Sequence, residues 1–527
     1  MGYLNVRFLF VLTAIWGAAI FWIAPRPPMT DLPQHAGQVA ILYDLLTGTS
    51  PWADVFRLNF FTPYLLGYGV AFGLSFFMPV AMTLKVTLSL AYLAFVFSLL
   101  KLRQRFNADP RLDWFFLLSF FGPSYAWGFL PFLTAAPVAI FFILLADRYS
   151  EKPGLPLGVA TALLGVALLL SHGLMFVFGL AVAGGIYTLR RRPGRATAGR
   201  WLLQSWPLML PAFACLAYFL ISRQLESQYG GIGNVGPLLW RIEWLRVIKI
   251  FVNSLGGRST ILVGASAIIL PLIPWMLGLR IDFKRPATWL MFAVSFLIAV
   301  AAPFFAMATG ILYLRFALFT LPAYALMFTL SSAPGHIDQA KGTQSVGRNQ
   351  RALQKLAVPL MLVLTWLVLG THTAQAWRFS RESQDFEPVL AAMQPGQRAL
   401  SLPLDRSSKA AENPFAYLHF GNWYQSEKQG LVDFNFAWFP PQIARFKPEQ
   451  LPAVRVGFEF DPDKFDWQKH EGERYRYFVV RHRDPVPENL FDGARCPPSK
   501  VLESGAWTLF ERRDCNLVFQ VPPVGTN

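Results

Sequence analysis

The sequence predicts a mainly α-helical polytopic membrane protein, a transmembrane bundle of about 11 spans followed by an extracytoplasmic α/β domain. Three observations predict it. Hydrophobic residues make up 54% of the 527 positions and charged residues 15%, with a mean hydropathy of +0.38, which is too apolar for an ordinary soluble chain. The apolar residues gather into runs long enough to enter a bilayer. The net charge of +16 is unevenly placed: residues 376–527 hold 19 Lys/Arg against 20 Asp/Glu, and the rest of the chain 28 against 11. Much of that excess lies in short loops between apolar runs. That is the pattern of membrane orientation, and it argues against nucleic acid as a partner.

The first run, about Val6 to Ala24, would pass for a signal peptide, but Ala24-Pro25-Arg26-Pro27-Pro28 is a poor cleavage site, so an uncleaved helix is expected. Further runs lie near 61–80, 83–100, 112–130, 131–146, 155–171, 173–189, 203–221, 260–278, 287–306, 314–331 and 356–372. Basic loops at Lys101 to Arg105, Arg190 to Arg200, Lys284-Arg285 and Lys341 to Lys355 are expected in the cytoplasm. Three runs then precede Lys101 where an even number is needed. The run 61–80, broken by Pro63, Gly67, Gly69, Gly73 and Pro79, is the one expected not to cross fully. Residues 1–372 are expected to form the membrane domain, with outside loops 25–60 and 222–258; a bacterial plasma membrane is the expected location.

From about Thr373 the pattern changes. Ala399 to Leu404, Tyr475 to Val480 and Trp507 to Glu511 read as short strands, and Pro485 to Leu490 as a helix start. Residues 373–527 are enough to bury a core of their own, so a soluble α/β domain outside the membrane is expected. Of the three cysteines, Cys215 sits in an apolar run as a packing residue. Cys496 and Cys515 share the tail, and the sequence leaves their pairing open.

The candidate site begins at Pro28-Met29-Thr30-Asp31-Leu32-Pro33-Gln34-His35. If Pro33 opens a helix, Asp31 and His35 lie one turn apart on one face, an acid and a basic partner at the water boundary. Val39, Leu42 and Leu46 continue that helix at apolar spacing. The bland reading is that Asp31 only caps the helix start. His172, after the apolar stretch Val159 to Leu170, either bonds a backbone carbonyl or faces the same cavity as Asp31. Arg315 offers a planar donor fork suited to phosphate, or snorkels beside Tyr313. In the second outside loop, Trp240, Trp244 and Phe251 with Arg241, Arg246 and Lys249 suit a basic helix lying in the interface, its cations facing lipid or, for one of the three, a substrate phosphate; Arg246 and Lys249 are the candidates carried forward. Gly230-Gly231-Ile232-Gly233 ahead of it reads as a flexible approach, and Lys85 as a loop charge. GxxxxGK[ST], HExxH, GxSxG and CxxC motifs are absent, which removes motif support for NTP hydrolysis, zinc proteolysis and thiol redox chemistry.

An amino-terminal span, a loop opening with Asp31-Leu32-Pro33-Gln34-His35, about ten further spans and an exported α/β domain together resemble the GT-C glycosyltransferases. These membrane enzymes take a sugar from a polyprenyl-phosphate donor. The resemblance implies Asp31 as general base and Arg315 as a donor-phosphate contact. It also implies a glycan, lipid or protein acceptor on the outer face of the membrane. Many members carry a second acid near this motif. Here that position is Pro33, and the next acids are Asp44 and Asp54, so a divalent metal, Mg or Mn, stays open. The chemistry needs one base for the acceptor hydroxyl and cations for the leaving phosphate, Arg315 with Lys249. A single base points to inversion. The competing reading is a transporter or lipid flippase with Asp31 and His172 relaying protons. The large polar tail and the lack of repeated halves speak against it.

Overall fold

The computed structural model describes residues 3–192, 194, 197–228, 238–240, 243–256, 260–306, 309–329 and 348–513. The chain enters as α1 (Tyr3–Ile23), turns through a proline-rich link and forms α2 (Leu32–Thr47), then the short strand β1 (Phe56–Leu58). The run suspected of failing to cross is α3 (Leu65–Ser75). Eleven helical residues span roughly 16 Å, about half of a hydrocarbon core. After it α4 (Val80–Phe106) runs the full depth and ends at Arg103 and Arg105. Lys85, expected in a loop, lies inside this helix, its ammonium near the Trp22 ring.

The run 112–130 is not the regular span that its hydropathy suggested. Pro110 precedes it and Gly122, Pro123 and Gly128 interrupt it, and the chain instead takes 3-10 turns at Pro110–Leu117 and Ser119–Phe121 before the short helix α5 (Pro123–Trp127). It still joins the two faces of the bundle. Asp113 pairs with Arg103 at one end, while Phe120, Phe121 and Tyr125 pack on Phe21 of α1 at the other. Irregular backbone at membrane depth is tolerated only where protein covers it. Leu112 and every residue from Trp114 to Phe121 are buried.

Next come α6 (Leu130–Glu151), α7 (Leu155–Leu169) and α8 (Gly173–Arg191), with α6 packed between α4 and α8. Buried Asp147 of α6 binds both Arg105 of α4 and Arg190 of α8, tying three helix ends together on one face. Beyond them lie α9 (Ala198–Gln204), α10 (Trp206–Gln228), α11 (Leu245–Ile248), α12 (Ile250–Leu255), α13 (Ile261–Ile269) and α14 (Ile273–Met276). A two-residue strand, β2 (Arg280–Ile281), precedes α15 (Pro286–Ala301), α16 (Leu312–Arg315), α17 (Ala317–Leu326) and β3 (Phe328–Thr329), which pairs with β2. Among the described residues, six helices are long and apolar enough to cross a membrane, and five apolar stretches are shorter. Cys215 on α10 is a free thiol. Cys515, Gly230 to Gly233 and Arg241 lie outside the described residues.

The long helix α18 (Arg348–Glu382) passes straight through the boundary expected at 372/373 and leads into α19 (Phe386–Ala392) and β4 (Arg398–Pro403). After α20 (Trp423–Lys428) follow β5 (Leu431–Asp433), β6 (Ala444–Phe446), β7 (Tyr477–Arg481), β8 (Ser499–Ser504) and β9 (Trp507–Glu511). Three of these strands match the expected ones. The sheet order is β5-β4-β7-β9-β8, with β4 parallel to both its neighbours and β9 antiparallel to both of its own. Side chains alternate between its two faces. Ala399, Tyr477 and Val479 join the core that runs into the membrane bundle, whereas Leu400, Leu402, Phe478 and Val480 close a separate core under Trp467. A second two-stranded sheet joins β1 to β6, placing Phe56 opposite Phe446. The loop after α2 is thus stitched into the α/β domain.

Candidate active site

Asp31 stands at the start of α2, and its surroundings are assembled from four distant stretches. Residues 126–128 come first. Gly128 has φ +81°, and a Cβ there would lie 2.9 Å from Leu32 N, so a glycine is needed for the close approach. That approach lets Ala126 O accept the Thr30 N–H at 3.3 Å and Trp127 O the Asp31 N–H at 2.8 Å. From the α/β domain, Asn413 Nδ2 donates to Thr30 Oγ1 at 2.7 Å. On α2 itself, Gln34 Oε1 accepts the Phe436 N–H at 3.0 Å and Gln38 Oε1 the Ala444 N–H at 2.9 Å. One glutamine per helical turn therefore fastens α2 to the domain. Gly37, between them, leaves room for Gln425.

The Asp31 carboxylate makes no capping bond to α2. An N-cap side chain normally serves the N–H of the second or third helical residue, and the second here is Pro33, which has none. The bland reading of Asp31 as a cap is therefore set aside by the geometry. Burial pushes its carboxyl up to about 7, a rise moderated by the Arg315 charge and reinforced by Glu459. A carboxylate poised near neutrality is matched to accepting a proton.

His35 is buried on the same helix, but its partner is Tyr68. Its Nδ1 lies 2.7 Å from the Tyr68 hydroxyl, which itself donates to Gln442 Oε1 at 2.6 Å. With the phenol proton spent on Gln442, His35 Nδ1 must be the donor, which leaves Nε2 as a lone pair. Burial, with Arg315 and His419, holds the ring neutral, down to about 3. The imidazole that faces Asp31 is instead His419, from the α/β domain, held neutral by burial, with Nε2 3.5 Å from Asp31 Oδ1.

Arg315 ends α16. Its guanidinium carbon sits 3.6 Å from the centre of the Phe129 ring, and Nε and Nη2 donate to Gly310 O. Ser124 Oγ binds its backbone carbonyl at 2.9 Å, which fixes the turn against α5. From there its charge acts on Asp31, His35 and His172. His172 is the N-cap of α8: its Nδ1 accepts the Leu174 N–H at 3.2 Å, and its ring packs against Tyr64 and Phe132. Its backbone partner is thus an N–H and not the carbonyl that one of the two sequence readings offered. Asp31, His35, Arg315 and His172 gather in one electrostatic neighbourhood.

The basic interface helix does not form as expected. The chain breaks at Lys249 into α11 and α12, and Arg246 turns inward. It is 4% exposed, donates to Ala302 O at 2.7 Å and lies 3.9 Å over the Tyr313 ring, so it is a packing strut and not a lipid-facing or phosphate-facing charge. Lys249 is exposed. A cavity of about 690 Å³ opens beside α2, lined by Arg26, Tyr43, Asp44, Glu387 and Glu427 but not by Asp31.

Sequence reading missed His419 and Glu459. Both lie in the α/β domain, nearly 400 residues or more from Asp31, in stretches without a motif. Glu459 is 9% exposed; its Oε2 accepts the Gly457 N–H at 2.8 Å, and burial raises its carboxyl to about 7. Among the described residues, no three His, Cys, Asp or Glu side chains are grouped to hold a metal ion.

Bundle and sheet domain together share their overall fold with solved structures of ArnT. The crystal structure of ArnT from Cupriavidus metallidurans bound to undecaprenyl phosphate matches with a TM-score of 0.53 at 12% identity, covering 97% of this chain and 99% of that one. ArnT from the same organism in the apo state matches with a TM-score of 0.50 at 13% identity, over 97% and 98%. The arabinofuranosyltransferase AftD from Mycobacteria gives 0.46 at 14% identity, over 97% of this chain and 40% of that one. No protein-family model and no curated protein matches the chain.

Proposed function

We propose that this protein is a membrane glycosyltransferase that moves a sugar from a polyprenyl-phosphate donor to an acceptor hydroxyl, with Asp31 as the general base. The observation that carries the reading is the idle carboxylate: Asp31 is buried at a helix start, does not cap it, and is held near neutrality beside one arginine. The fold is that of a protein crystallised with undecaprenyl phosphate, which fits a lipid-linked donor.

In the proposed step, Asp31 takes the proton of the acceptor hydroxyl as its oxygen bonds to the anomeric carbon. The bond from that carbon to the phosphate oxygen breaks, and the polyprenyl phosphate leaves with the electron pair. Arg315 offsets the charge that gathers on the leaving oxygen. One displacement inverts the anomeric configuration. Glu459 adds a carboxylate absent from the sequence reading, so inversion rests on Asp31 acting as base and is read from the product. We further propose that the face bearing Asp31 and the α/β domain lies outside the cytoplasm of a bacterial plasma membrane.

The test is transfer from labelled polyprenyl-phosphate sugars by protein in nanodiscs, with a membrane-lipid extract as acceptor. Wild type is expected to transfer label and Asp31→Asn is not, with the product's anomeric configuration opposite to the donor's by NMR. Equal transfer by the Asn variant would end the reading.

A further inference from the structure

His419 is held in one tautomer, and the reason lies two residues away in the bonding chain. Gln34 Oε1 accepts the Phe436 N–H at 3.0 Å, which fixes the amide so that its Nε2 is the end facing His419. That nitrogen lies 3.2 Å from His419 Nδ1 and can only donate, so Nδ1 must accept. A neutral imidazole that accepts at Nδ1 carries its hydrogen on Nε2. Nε2 is the atom 3.5 Å from Asp31 Oδ1. The ring is 5% exposed and braced by Phe434 and Phe436, so it cannot turn away freely.

We propose that His419 is a positioning residue for the base: Gln34 fixes its tautomer, and its Nε2–H steers one oxygen of Asp31 and favours the ionised carboxylate. The inference rests on the reading of Asp31 as base. It makes the α/β domain a contributor to the site, not a lid over it. The other titratable groups that act on Asp31 or surround it are Arg315, Glu459, Tyr68 and His35. Of these, Arg315 favours the carboxylate and Glu459 opposes it. His419 differs from both in acting through a directed hydrogen. The gap of 3.5 Å is longer than a closed hydrogen bond and is expected to shorten when an acceptor hydroxyl is held.

The proposal separates two conservative variants. A glutamine amide nitrogen overlays His Nε2, whereas an asparagine reaches only as far as Nδ1. His419→Gln keeps a donor toward Asp31; His419→Asn keeps the partner of Gln34 and loses that donor. The measurement is the pH titration of the carboxylic C=O infrared band that is present in the full-length protein and absent from Asp31→Asn. It needs no substrate. The midpoint is expected to rise in His419→Asn and His419→Ala, by less than the roughly one pH unit that losing a closed hydrogen bond to a charged group would give, because the contact is open without an acceptor. In His419→Gln it stays at the wild-type value. Unchanged midpoints in all three variants, or a Gln variant displaced as far as Asn, would overturn the proposal while leaving the base reading intact. Full transfer by Asp31→Asn would end the base reading while leaving the titration to be read on its own.

Discussion

Two helices begin beside Arg315, and both have a titratable residue at the cap position. At α8, His172 does what a cap does: its Nδ1 accepts the Leu174 N–H. At α2, Asp31 is by type the better cap, yet its carboxylate accepts no N–H from the helix. Pro33 has removed one of the two N–H groups it would serve, and the backbone N–H of Asp31 is drawn across to Trp127 O. A residue type that normally stabilises a helix start has been released from that duty by its neighbours. Its burial is left uncompensated by any hydrogen bond from the helix. Such a cost is characteristic of functional sites, and it is the ground of the proposed role of Asp31 as base.

The largest effect expected from this contrast is on transfer. Asp31→Asn should lower the rate by about 10²–10⁴ with wild-type levels in the membrane, whereas His172→Asn should leave most of the rate in place. A His172 variant as inactive as Asp31→Asn, in folded protein, would erase the distinction between the two caps. Next in size is Arg315→Lys, which keeps the charge and loses the planar fork over Phe129. Donor binding should weaken by about tenfold, some 1.4 kcal/mol, with the bound complex less affected, as read from separate KM and kcat values.

The pH dependence sharpens the comparison further. Below its pKa Asp31 is protonated and cannot act as base, so kcat/KM should rise with pH through about 7 and then level off. Removing the like charge in Glu459→Gln should move that limb to lower pH. Stability carries the opposite sign. A carboxyl whose folded pKa lies above its ordinary value binds its proton more tightly in the folded protein, so stability is lost as pH rises toward about 7. Asp31→Asn should therefore melt above wild type on the alkaline side of that value and lose the advantage well below it. The smallest effect expected is at α8, where His172→Ala should cost about 1 kcal/mol, a typical cap, in a denaturation midpoint compared with His172→Asn.

Much of this was legible from sequence because membrane spans and a proline-marked helix start are local signals. Asp31, His35, Arg315 and His172 were named from span ends, and the Arg315 charge acts on the other three. Arg246 was misjudged because composition shows that a basic residue sits among aromatics but not which way it turns. Hydropathy alone also could not tell that 112–130 would take 3-10 turns, since a buried apolar run reads the same in any backbone conformation. His419 and Glu459 left no trace because their meaning is tertiary: neither has a local pattern, and each matters only through what folds against it. The strands β5 and β8 were passed over for a simpler reason. Leu431-Val432-Asp433 is too short to show a period, and Ser499 to Ser504 is mostly polar.

The helix α18 has 35 residues, a rod of roughly 50 Å, and its far end, Glu382, is gripped by the sheet domain through the backbone of Lys409 and Ala410 and the Ser408 hydroxyl. Held at Glu382 and packed along its length against α1, α13 and α14, that rod works as a mast that carries the domain. Severing the chain at 372/373 would cut that mast in mid-turn, so the two halves are better thought of as one machined part than as a motor with a detachable cover. Split-protein reporters, circular permutation and domain exchange within this fold should therefore be placed in connecting loops and kept out of that rod.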